Sequence, residues 1–115
     1  MNIFVVEQDP VAAARQLPDK LICKMPLESA QMLSTAHRLL SPISYCEEKG
    51  LYKKAFWNHP CTIWTRATHE NYRWHLIHWI TLCEEFNYRY GKDHKSWTYL
   101  WLSLIHISEP TRLGF

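Results

Sequence analysis

A chain of 115 residues that is 47% hydrophobic and carries six Trp and six Tyr has the material for one aromatic-rich globular domain, which excludes a disordered tail and any need for a second domain. Net charge is +2 with the seven His counted as neutral, a balance that permits an anionic partner without demanding one. No apolar run reaches the roughly 18–20 residues that span a bilayer, so the expectation is a cytoplasmic protein with no membrane partner.

Asn2–Val6 is a short apolar stretch, read as a strand or an extended lead-in. Asp9-Pro10 is a cap followed by a first-turn proline and predicts a short helix over Val11–Leu17. Pro18-Asp19 then punctuates, with Asp19 as N-cap of a long helix to Leu40 in which Pro26 must kink the rod or restart it. In that segment Ile22, Met25, Ser29, Met32, Ala36 and Leu39 recur at steps of three and four and form a core-facing stripe. Lys20, Lys24, Glu28, Gln31 and Thr35 recur in the same way on another face. A carboxylate between an ammonium and a carboxamide suits acid/base or imine chemistry; alternatively, Lys24 and Glu28 are a solvated i,i+4 pair worth about 0.3–0.5 kcal/mol.

Ser41–Trp57 shows no sustained period and reads as an irregular connector with basic and aromatic content. His59-Pro60 opens a short helix, CTIWTRA, and Thr68 caps a long one ending near Tyr90, where Gly91 supplies the stop. Tyr72, Leu76, Trp79, Ile80, Cys83 and Tyr90 make its buried stripe, while His75 and His78, at i,i+3, read as a polar face rather than a metal pair. A further helix begins after Asp93 or Ser96. Cys23, Cys46, Cys61 and Cys83 lack CxxC spacing and read as reduced and structural, so neither a metal nor another cofactor is called for. The fold expected is mainly α, a compact single-domain helical bundle with two long helices and a short N-terminal extended segment.

Three polar sets are candidates for one site: Lys24, Glu28 and Gln31; His59 and Arg66; Arg73, Arg89, Lys92, His94 and Lys95. Cations among flat aromatics suit phosphates and stacked bases, although Trp74, Trp79 and Tyr88 lie on an apolar helix and equally suit a core.

LPDKLICKMPLESAQML, HPCTIWTR and NYRWHLIHWITLCEEFNYRYGKDHK together resemble small phage and bacterial proteins related to the pyrimidine-dimer DNA glycosylase superfamily, typified by the phage dimer-specific endonuclease V. The resemblance spans about residues 1 to 95. It implies a helical DNA-binding protein in which a free N-terminal amine attacks the sugar carbon and forms an imine, with one helical Glu as acidic partner. Glu28 matches that Glu. Asn2 departs from the pattern, because a large second residue leaves Met1 in place, so the amine would be that of Met1 or, if strongly desolvated, of Lys24. Leu21 also stands where the relatives carry a polar residue. The catalytic candidates are therefore Glu28, Lys24 and Met1, and the binding candidates Lys20, Gln31, His59, Arg66, Arg73, Arg89, Lys92, His94 and Lys95.

Three functions follow: a DNA glycosylase/lyase, a non-catalytic nucleotide-sequestering binder from a phage, and a structural or interaction module in which the polar stripe is only a wet face. Residues 102–112, LSLIHISEPTR, look like translated adapter sequence from a sequencing library. The natural domain is therefore expected over 1–101, with 102–115 a non-native tail carrying no functional weight.

Overall fold

The computed structural model describes residues 2–106. Among them are six helices and no strand: α1 (Pro10–Arg15), α2 (Asp19–Leu40), α3 (Ile43–Glu48), α4 (Pro60–Ala67), α5 (His69–Tyr90) and α6 (Lys95–His106). The mainly α bundle with two long helices is thus the observed fold, and Asn2–Val5 is a lead-in without strand pairing.

Local chemistry sets most boundaries. Asp9 Oδ2 accepts from Ala12 N at 2.8 Å and Pro10 fills the first turn of α1. Thr68 accepts from Asn71 N to start α5, and Gly91, at φ 70°, ends it in the left-handed conformation that glycine adopts without strain. The N-cap of α2 is Pro18, and Asp19 instead occupies the first turn, where its charge complements the helix dipole. α2 neither breaks nor restarts at Pro26, which is buried inside one continuous helix. The connector expected over Ser41–Trp57 contains α3, a helix too short for a hydrophobic period to register.

α5 packs against α1, α2 and α4, and α2 also meets α3, α4 and α6. Two apolar clusters result. One joins Ala30, Leu33 and Ala36 of α2 to Tyr72, Trp79, Leu100 and Leu104; the other joins Ile22 and Met25 of α2 to Ala14, Leu17 and Leu82, with Phe4 and Phe86 alongside. The turn of α2 bearing Glu28 and Ser29 lies between them. Tyr90, expected in the buried stripe, is 41% exposed and Tyr88 is 85% exposed, although Arg89 between them ties the last turn of α5 to Leu17 O and Asp19. α6 extends beyond residue 101 to His106 and Leu104 is buried in the first cluster, while Leu102 and Ile105 stay exposed. The remainder of the expected tail, 107–115, lies outside the described residues.

Candidate active site around Glu28

The polar stripe of α2 is not uniformly wet. Lys20 and Lys24 are exposed, Gln31 is half-buried, and Glu28 and Thr35 are buried. Glu28 Oε2 lies 3.6 Å from Lys24 Nζ, with side-chain exposures of 12% and 64%. A carboxylate in such a place is shielded from water and keeps a nearby cation, which is what a proton carrier needs. Lys24, by contrast, is not desolvated as an imine-forming lysine must be.

Beside Glu28 the structure holds a relay of buried hydrogen bonds with a defined direction. Thr65 Oγ1 donates to Cys61 O at 2.9 Å, so it accepts from His75 Nδ1 at 2.8 Å, and His75 Nε2 accepts in turn from the Ser29 hydroxyl at 2.9 Å. The relay fixes the neutral Nδ1–H tautomer of His75. Burial, reinforced by neighbouring His78, pushes its pKa down to about 3. His78 is buried too and donates from Nδ1 to Pro10 O at 3.1 Å. The two histidines are therefore not the polar face expected but buried ties between helices. Ser29, His75 and Thr65 clamp the Glu28 turn of α2, through α5, onto α4.

The first turn of α4 is where the start of the chain arrives. His59 Nδ1 accepts from Cys61 N at 3.1 Å and caps the helix, and Cys61 Sγ donates to Asn2 Oδ1 at 3.4 Å. Ile3 and Val5 line a shallow groove of about 250 Å³ with Pro60, Cys61 and Trp64. Trp74 Nε1 donates to Gln8 O at 2.7 Å and holds the other end of the segment. Met1, the amine candidate, lies outside the described residues.

The other candidates divide. Arg66 donates from Nη1 to Trp57 O at 2.7 Å, pinning the connector that enters α4. Arg73 is exposed on α5. Arg89 ties chain segments together, reaching Asp19 at 2.9 Å, Glu85 at 3.0 Å and Leu17 O at 2.8 Å. Lys92, His94 and Lys95 line a groove of about 620 Å³ with Cys23, Leu27, Tyr52 and Phe86, one helical step around α2 from Lys24 and Glu28. His94 is tied to the backbone there. Its Nε2 donates to Cys23 O at 2.9 Å, next to the carbonyl that Pro26 deprives of a helix donor, and its Nδ1 accepts from Ser96 N and Oγ at 3.1 and 3.0 Å. The three polar sets thus do not gather in one place: Lys92, His94 and Lys95 share the groove, His59 and Arg66 serve the entry to α4, and Arg89 ties chain segments together.

Among the described residues no group of three His, Cys, Asp or Glu side chains is placed to hold a metal ion, and no helix is long and apolar enough to cross a membrane. All four cysteines are free. A family model described as pyrimidine dimer DNA glycosylase matches residues 1–99. The chain belongs to that family. No curated protein and no solved structure matches it. Within this glycosylase family member, Leu21 is half-buried against the second apolar cluster, so the position that departs from the polar pattern serves packing.

Proposed function

We infer that the protein is a DNA glycosylase with lyase action at damaged or abasic sugars, in which Glu28 carries protons and a chain amine is the nucleophile. The observation that carries this reading is the buried Glu28 carboxylate, next in α2 to Ser29, whose hydrogen-bond relay ends at Cys61 O in the first turn of α4, where Cys61 also meets Asn2. The amine nitrogen bonds to C1′ of the deoxyribose as the base departs with the glycosidic electron pair. Opening of the sugar ring then yields the imine, and loss of a C2′ proton expels the 3′ phosphate. Each step needs a proton given or taken, which one shielded carboxylate can do. Met1 supplies the amine better than Lys24, since an α-amine with an ordinary pKa of about 8 keeps a neutral fraction near neutral pH, whereas the exposed Lys24 ammonium serves as the charge beside Glu28.

A second reading rests on the other groove. Its volume of about 620 Å³, its Tyr52 and Phe86 walls and its Lys92 and Lys95 rim suit one nucleotide held without turnover.

Borohydride trapping separates the two. The purified protein is mixed with UV-irradiated, abasic and undamaged duplex DNA in the presence of borohydride, alongside Glu28→Gln. A lesion-dependent covalent adduct that Glu28→Gln loses is expected; absence of any adduct on all three substrates removes the lyase reading and leaves the nucleotide groove.

A further inference from the structure

Between α3 and α4 the chain displays Phe56 and Trp57 at 67% and 50% exposure. We propose that this pair is an aromatic wedge that stacks against the bases of duplex DNA a few base steps from the nucleotide worked on at Glu28. The proposal rests on the DNA reading above and adds to it a contact surface that neither Glu28 nor the Lys92 groove supplies.

The first support is the backbone. Phe56 has a φ of 47°, a left-handed conformation that a bulky side chain resists and that glycine or asparagine would fill at less cost if only a turn were needed. The turn is a tight one, closed by His59 N donating to Phe56 O at 2.9 Å. A large apolar ring held at a strained position and directed to solvent is the reverse of what folding alone selects.

The second support is the mounting. Arg38 donates from Nε to Tyr52 O at 3.0 Å and from Nη2 to Leu51 O at 2.6 Å. Ala55 N donates to Thr35 Oγ1 at 3.0 Å, and Arg66 holds Trp57 O on the far side. Three side chains from two helices therefore fix the backbone on both sides of the exposed rings, so the rings are presented rather than trailing.

Charge and position choose the occupant. Lys53 and Lys54 precede the rings and are exposed, placing two cations where phosphates flank a stacked base. Thr35, the anchor of the connector, lies on the same face of α2 as Glu28 and roughly 10 Å along the axis, at 1.5 Å per residue. That separation is about three steps of a DNA strand at 3.4 Å each. Glu28 and Thr35 are themselves buried, so a duplex passing over this side of the protein would bring a sugar to the edge of the layer at Glu28, with the rings about three base steps away.

The test uses the whole protein and a duplex containing a tetrahydrofuran abasic analogue, with 2-aminopurine placed in turn one to four steps from it. Wild type is compared with Phe56→Gly, Phe56→Tyr and Trp57→Ala. The expected result is a position-dependent change in 2-aminopurine fluorescence that Phe56→Gly and Trp57→Ala lose, with affinity for the duplex falling by about 5- to 160-fold, the range for loss of one base–aromatic stack. Phe56→Tyr keeps both signals. Phe56→Gly also keeps or raises the melting temperature, because glycine relieves the left-handed φ. Wild-type fluorescence and affinity in all the variants overturn the wedge while leaving the trapping result of the lyase reading untouched. Rings that instead hold two copies of the chain together, seen as dimer dissociation in Phe56→Gly with DNA affinity unchanged, also overturn it. Failure of wild type to bind any duplex removes the wedge and the DNA reading together.

Discussion

The two flanks of the first half of α2 use polar residues in opposite ways. On one, Glu28 and Ser29 sit in a dry layer between two apolar clusters, and the relay from Ser29 through His75 and Thr65 to Cys61 O uses neutral groups only. On the other, Cys23 and Leu27 face an open groove with Lys92 and Lys95, and Arg89 crosses nearby between Asp19 and Glu85. A polar side chain removed from the dry flank leaves a partner without water to replace it, whereas one removed from the wet flank is replaced by solvent. Deleting a side chain outright should therefore make fold and chemistry fail together on the dry flank, and binding alone fail on the wet one.

Glu28→Gln is the largest expected departure. It keeps the shape and removes the proton carrier, so the rate of adduct formation in borohydride trapping should fall by about two to four orders of magnitude, the usual contribution of a positioned acid or base. A thermal melt close to wild type is expected alongside, since a carboxamide can occupy the same space. A fall of less than threefold would reduce Glu28 to half of a surface pair with Lys24.

Acid should undo the dry side next. Burial holds the pKa of His37 down at about 4 and that of His75 at about 3, against 6.5 for an ordinary histidine, and it lowers that of His78 as well. The unfolded chain binds these protons and the folded one does not, so stability is fully present above pH 6.5 and falls as pH drops from there towards 4 and then 3. From His37 alone the loss is of the order of 3 kcal/mol, at 1.36 kcal/mol per pH unit. Urea unfolding at pH 7, 6, 5 and 4 measures it; a flat series over that range would mean that the buried histidines are solvated.

These histidines also mark where the sequence could and could not be read. Helix stops and starts at Pro10, Thr68 and Gly91 are local events, and each stands where local chemistry puts it. The stripe of Ile22, Met25, Met32 and Ala36 is buried as its spacing requires. The site was partly legible: Glu28 was evident as the carboxylate of a stripe, yet its burial was not, because whether a helix face is wet depends on what another helix lays across it. The burial of His75 depends on the same crossing of helices, although the sequence carries a signal for it. Tyr72, His75, Trp79 and Leu82 continue one period of three and four, so His75 lies in the buried stripe of α5. Ser29 lies in the stripe of α2, and a serine and a histidine in two facing stripes are a pair that can satisfy one another. The separation of the cationic sets, and the use of His94 and Arg89 as ties, depend on contacts between residues some 70 positions apart in the chain.

Ser29→Ala puts a smaller load on the same layer. It takes the donor from His75 Nε2 and leaves a buried nitrogen unsatisfied, a change that typically costs about 1–3 kcal/mol. The midpoint of urea unfolding should shift accordingly with the slope unchanged. A second consequence sharpens the comparison: because the clamp aligns the Glu28 turn with α4, adduct formation should slow in the folded variant even under conditions where little of it is unfolded. If stability falls and the trapping rate of the folded fraction does not, the relay holds the fold without positioning the site.

The smallest effect belongs to the wet flank and is the one that most directly opposes the two. Lys92 and Lys95 are exposed at the mouth of the groove, and a charge in water adds little to folding. Replacing both with Ala should leave the melting temperature within error of wild type. If they meet phosphates, each removed contact lowers the slope of log affinity against log salt by about 0.9 on duplex DNA, so the double variant should bind a duplex with a slope shallower by nearly 2. The loss should be greatest at low salt and shrink as salt screens the remaining contacts. A double variant with an unchanged slope would place the DNA backbone elsewhere, along the Lys53 and Lys54 side, and would leave the Tyr52 and Phe86 groove to a smaller ligand. A double variant that unfolds would instead show that both flanks of α2 are structural, and the division between them would not stand.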